Sequence, residues 1–182
     1  MADHIQQLKH IAQEAVTHFG PLSAAQLNWK PSPDKWSIAQ CLDHLIASDN
    51  TYYKTFERII AGTYKPSFWA RINPFSKYFG NFLKNNAGTV VKKKMKRPEI
   101  FKPSASVIDP GIVQRFAEHI NTLVAYFKKL ENPEWQNIKI TSPVSGMVTY
   151  SLGDTLAILC GHQQRHYNQA MNVLQQTQFP KQ

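Results

Sequence analysis

Two histidines four residues apart, His162 and His166, are the feature of this sequence with the clearest chemical use. On a helix turning about 100° per residue they lie within about 40° of each other. An imidazole pair so placed can aim two nitrogens at one metal ion. Seven histidines in 182 residues give roughly a quarter of such a pair by chance, so the spacing alone is weak evidence. A third candidate strengthens it. His44 flanks an apolar helical face beside Cys41 and Ser48. Three imidazoles from two helices leave metal positions open for water or substrate, the pattern of a catalytic rather than a closed structural site. The competing reading is a hydrogen-bonded interface pair, with His44 at the surface.

Other reactive side chains have plainer explanations. Asp49 falls near the middle of an apolar face, an expensive place for a lone carboxylate. It can orient a metal-bound histidine, act as a general base, or pair with a cation or histidine from another helix, and the simple pair is favoured. Cys41 can ligate a metal, but a small buried thiol is the better reading. Cys160 lies away from the histidine face and reads as packing. His4, His10, His18 and His119 have no partner at helical spacing and read as helix-surface residues. Gln163 and Tyr167 suit a substrate pocket or ordinary packing equally well. No P-loop, G-x-S-x-G, G-x-G-x-x-G or H-E-x-x-H motif is present.

Four helical stretches must position these groups. The first, near residues 3–19, places Ile5, Leu8, Ala12, Ala15 and Phe19 at spacings of three and four, and Gly20-Pro21 stops it. In the second, Ser37 and Gln40 have capping-box spacing, and Ile38, Leu42, Leu45, Tyr52, Phe56 and Ile59 share a face up to about Ile60. Asp109-Pro110 reads as the start of a third, striped by Val113, Phe116, Ile120, Leu123, Phe127 and Leu130. Ser151 caps the fourth, whose inner face reads Leu152, Leu156, Leu159, Ala170, Val173 and Leu174, with Gln163 and His166 interrupting it. Residues 138–150 look extended, as a short hairpin around Ser145-Gly146. These elements predict an all-α protein, a single four-helix bundle over 1–182, with a long basic, aromatic-rich connection at 64–108 between helices two and three. Within that connection, Phe68 to Lys84 suits one or two short helices broken at Asn73-Pro74.

Composition narrows the function classes. The chain has 42% hydrophobic and 18% charged residues, an ordinary globular mixture. No apolar run approaches the roughly 18 residues of a membrane span, and the first fifteen residues do not read as a signal peptide. Two cysteines argue against a disulfide scaffold and suit a reducing cytoplasm. The net charge of +9 is local: residues 64–102 hold ten Lys/Arg against one acid, Glu99, and the remainder balances 11 against 11. Basic residues among aromatics can bind single-stranded nucleic acid or an anionic membrane surface. The favoured reading is a lid, its aromatics packed on the bundle and its lysines in water. Lys92–Arg97 contains only Met95 to stack or insert, so nucleic acid is disfavoured as a partner.

The segments Trp36-Ser37-Ile38…Leu42-x-His44-Leu45 and Tyr150-Ser151-Leu152…Gly161-His162-x-x-Arg165-His166-Tyr167-x-Gln169 resemble the DinB-like family of metal-binding four-helix bundles. Lys94 to Ser104 is similar to the lysine-proline segment that precedes helix three in one branch of it. The resemblance covers nearly the whole chain. It implies a divalent ion, commonly zinc or nickel, on His44, His162 and His166. Similar proteins include thiol-S-transferases using bacillithiol and mycothiol-dependent isomerases, together with members of no assigned activity, and dimers are common among them. The expectation is thus a metal-dependent hydrolase or thiol-S-transferase acting on a small molecule, with a low-molecular-weight thiol as candidate co-substrate and no general acid or base identified. A non-catalytic metal-containing binding protein and a docking module using the basic 64–102 segment are the alternatives.

Overall fold

A computed structural model describes residues 1–87, 105 and 107–181. Its elements are α1 (Ala2–Phe19), α2 (Ala24–Asn28), α3 (Ile38–Ile60), α4 (Phe68–Ile72), α5 (Ser76–Ala87), α6 (Ile112–Lys129), a 3-10 turn (Pro133–Asn137), β1 (Lys139–Ser142), β2 (Ser145–Ser151) and α7 (Leu152–Leu174). The fold is mostly helical, with one antiparallel hairpin pairing Lys139 with Ser151 and Thr141 with Thr149.

The four long helices follow from their apolar stripes. Leu8, Ile11, Ala15 and Phe19 are buried on α1, and Phe116, Ile120, Leu123 and Phe127 on α6. Burying a side chain of this size contributes about 1.5–3 kcal/mol, which makes the stripes the main source of stability. α1 packs on α6, α6 on α3, α3 on α7, and α7 back on α1. Phe19, Phe56, Phe116, Phe127 and Tyr150 fill the space between them.

Caps set the registers. Ser37 Oγ accepts from the Gln40 amide at 3.1 Å while Gln40 Oε1 accepts from the Ser37 amide at 3.3 Å. This reciprocal pair satisfies two otherwise orphaned donors and fixes where α3 begins. Ser151 and Asp154 do the same for α7. A third capping box, Ser23 with Gln26, starts the short α2, an element not expected from the sequence. α6 begins at Ile112, later than Asp109-Pro110 suggested. The Asp109 carboxylate accepts from the Gly111 amide and from Arg115, so it organises a turn ahead of the helix instead of capping it. The hairpin turns at Pro143-Val144, two residues before Ser145-Gly146.

The described part of the connection after α3 forms two short helices broken at Asn73-Pro74, as expected, and is clamped to the hairpin. Asn73 Nδ2 donates to Thr149 Oγ1 at 2.8 Å, and the Ser76 and Thr149 hydroxyls lie 2.7 Å apart. α5 then crosses the start of α7, where Lys84 pairs with Asp154 at 2.6 Å. Gly80 is required at this crossing, because a Cβ there would run into the Asp154 carboxylate. The inward packing expected of the connection's aromatics fails at its corner. Ala70, Asn73, Ser76 and Gly80 occupy the inner positions, which turns Phe68, Phe75 and Tyr78 out into solvent. Lys92–Arg97 and the whole Lys94–Ser104 segment of the family resemblance lie outside the described residues.

Candidate metal centre

α3 and α7 pack side by side, and their contact brings His44, His162 and His166 together. One nitrogen from each lies within 4.8 Å of the other two. The rings sit 4.5–4.9 Å apart, centroid to centroid, and meet edge to face. His44 Nε2 lies 3.1 Å from His162 Nε2. Nitrogens about 2.0–2.1 Å from a tetrahedral zinc would stand about 3.3–3.4 Å apart, so the facing pair is close to ligating separation.

Electrostatics suit the same use. His162 is held well below the ordinary imidazole range, at about 3, chiefly by desolvation and secondarily by the charges of His44 and Arg165. Its ring is therefore neutral at physiological pH, the protonation state a metal requires. His44 and His166 are buried. Two neighbours orient the rings. Ser48, one turn along α3, places its hydroxyl 3.4 Å from His44 Nδ1. Trp36 stacks on His166 at 5.6 Å and tilts over His44 at 4.8 Å. Because Trp36 precedes the Ser37 cap, the box that starts α3 also positions this ring. Supporting contacts of this kind fix ring orientation at metal sites.

A buried polar network lies one and two turns further along α3. Asp49 Oδ2 accepts from His119 Nε2 at 2.9 Å and from Gln163 Nε2 at 2.6 Å. Asp49 is fully buried, and desolvation raises its carboxyl above the ordinary value despite the hydrogen bonds and charge from His119 and the bond from Gln163. The Tyr53 ring stacks on His119 at 5.7 Å, its hydroxyl 3.2 Å from Nδ1. The simple pairing expected of Asp49 is thus what the structure shows. The expectation of a surface His119 is overturned: it is buried, because a carboxylate on α3 satisfies it. Gln163 serves this network, and Tyr167 packs against Phe19 at 5.9 Å.

The other candidates stand outside the three-histidine group. Cys41 is buried in the core. Cys160 is buried too, its thiol 3.0 Å from Gln7 Oε1 and pushed up to about 12 by desolvation. His18 pairs with Glu14 on α1. Trp36 and Ser48 were given no role from sequence, although one adjoins the helix cap and the other stands at i+4 from His44.

A family model for the DinB superfamily matches residues 7–170. The chain belongs to the DinB superfamily. No curated protein and no solved structure matches it. The DinB match spans Trp36, Ser37, His44, Ser48, His162 and His166, so every residue of the cluster and its supports lies inside the family region. Superfamily membership and the cluster are together compatible with a metal-binding protein.

Proposed function

We propose that this DinB superfamily chain is a metal-dependent enzyme of the hydrolase or thiol-S-transferase type, built on a four-helix bundle, with one divalent ion, zinc or nickel, on His44, His162 and His166. The observation that carries the reading is the convergence of three imidazole nitrogens within 4.8 Å, one of them on a ring kept neutral by burial. A divalent ion supplies local positive charge that favours the deprotonated form of water or a thiol.

The chain's own residues have defined parts. His162 and His166, one turn apart on α7, present two donors from a rigid element, and His44 adds the third across the α3–α7 contact. Ser48 fixes the His44 ring, and Trp36 covers one side of the cluster and excludes water there. Three protein donors leave room for an exchangeable group, which separates this arrangement from a closed four-ligand structural site. Arg165 donates to the Asn86 carbonyl at 3.4 Å, which draws the end of α5 alongside the α7 turn that bears both histidines.

The test is a screen of zinc- and nickel-loaded protein with cysteine, glutathione or bacillithiol and the electrophile monochlorobimane, beside a panel of esters and amides. Expected is turnover that chelation abolishes and His162→Ala removes. Failure of every substrate with metal bound would overturn the catalytic reading in favour of a non-catalytic binding protein.

A further inference from the structure

We propose that the α4–α5 corner and the adjoining hairpin tip form a docking face for the surface of an anionic lipid bilayer. Five large apolar side chains stand out from this corner: Phe68 is 76% exposed, Ile72 54%, Phe75 58%, Tyr78 64% and Met147 74%. Exposed apolar residues scattered singly need no explanation, whereas a contiguous group does. Phe68 and Ile72 stand one turn apart on α4, and Phe75 and Tyr78 three residues apart where α5 begins, so four of the five come from the two short helices of one corner. Trp69 Nε1 donates to the Met147 carbonyl at 2.9 Å and Asn73 Nδ2 approaches the same oxygen at 3.3 Å, which seats the hairpin tip against the corner. With Asn73 and Ser76 bonded to Thr149 beneath, the apolar groups are presented by a braced platform and need no ordering on contact.

Charge selects the partner. Lys65, Arg71 and Lys77 are exposed around the aromatics. No acidic residue occurs between Glu57 and Glu99 or anywhere in 139–151. Aromatic and aliphatic groups that reach the acyl boundary, rimmed by basic side chains that reach headgroup phosphates, are the signature of interfacial binding. A nucleic-acid surface fits less well, because Ile72 and Met147 offer no ring on which a base can stack. A second copy meeting this face across a twofold axis would set one basic rim, Lys65, Arg71 and Lys77, against another of the same sign. The chain's own segment 88–104 carries six Lys/Arg against Glu99, so as an occupant it would meet the basic rim with charge of the same sign.

The test is co-sedimentation of the purified chain with phosphatidylcholine vesicles, with and without phosphatidylglycerol, in physiological saline. Expected is binding that requires the anionic lipid, quenching of tryptophan fluorescence by brominated acyl chains, and an affinity loss of at least tenfold in F68S/F75S and, separately, in R71E/K77E. Both variants should keep wild-type circular dichroism and zinc content. Absence of binding to anionic vesicles, or equal binding by both variants, would overturn the proposal. So would self-association abolished by F68S/F75S without vesicle binding, which assigns the face to a second copy. Binding of a single-stranded oligonucleotide, but not vesicles, with the same losses would assign it to nucleic acid.

Discussion

Replacing Asp49 by alanine removes the acceptor that both His119 and Gln163 use, at 2.9 and 2.6 Å. Each buried donor so orphaned costs about 1–3 kcal/mol, or about 2–6 kcal/mol for the two. Part of this is offset, because the carboxylate is itself poorly solvated. Its raised pKa and the Oδ1 atom that finds no hydrogen-bond partner among the described residues both show it. A net loss of about 2–4 kcal/mol is expected. The pH dependence tests the cause. A carboxyl whose folded pKa is raised contributes stability that is fully present below its unfolded value and is lost as pH rises through the folded value. The gap between wild type and Asp49→Ala should therefore widen as pH falls from 7 toward 4. A carboxylate held below its ordinary value of 3.8 by its histidine partner would not widen it over this range, because its contribution is lost only below that value. The assay is denaturant unfolding of chelator-treated protein over that range, with a double-mutant cycle against His119→Ala and an expected coupling of about 1–2 kcal/mol. A loss under about 0.5 kcal/mol, or a gap that fails to widen with acid, would refute the reasoning.

Three further outcomes follow from the same geometry. Gly80→Ala drives a methyl group to within 2.7 Å of Asp154 Cγ, disturbing the α7 cap and the Lys84 pair, and should cost about 1–3 kcal/mol in denaturant unfolding. Chelation should leave the far-ultraviolet helical signal largely intact, because the apolar core forms without the histidines; complete loss of helicity would show a structural ion. In the chelated protein His162, held at about 3, contributes stability present above the ordinary imidazole value of 6.5 and lost as pH falls toward 3. Its thermal midpoint should drop between pH 7 and pH 5 relative to His162→Phe.

What could be read from the sequence was local. His162 and His166 share a helix face by spacing alone, and Ser37 and Ser151 mark helix starts through groups three residues apart. The same signal, Ser23 with Gln26, stands in the sequence for α2, but prolines on both sides obscure it. His119 stands three residues after Phe116 and four before Leu123, on the buried stripe itself, yet its residue type points to the surface. A buried histidine is explained only by its partner, and Asp49 lies 70 residues away. The outward face of Phe68, Phe75 and Tyr78 was hidden for a similar reason. It depends on Asn73 and Ser76 taking the inner positions against Thr149, contacts across more than 70 residues.

The central claim is that three imidazoles on α3 and α7 hold one ion. Isothermal titration of zinc and of nickel into chelator-stripped protein addresses it directly, with His44→Ala, His162→Ala, His166→Ala and the triple variant beside wild type. Wild type should bind one ion per chain. Each single variant should bind at least tenfold more weakly, and the triple variant should show no stoichiometric binding. Retention of one tightly bound ion per chain by the triple variant would contradict the account.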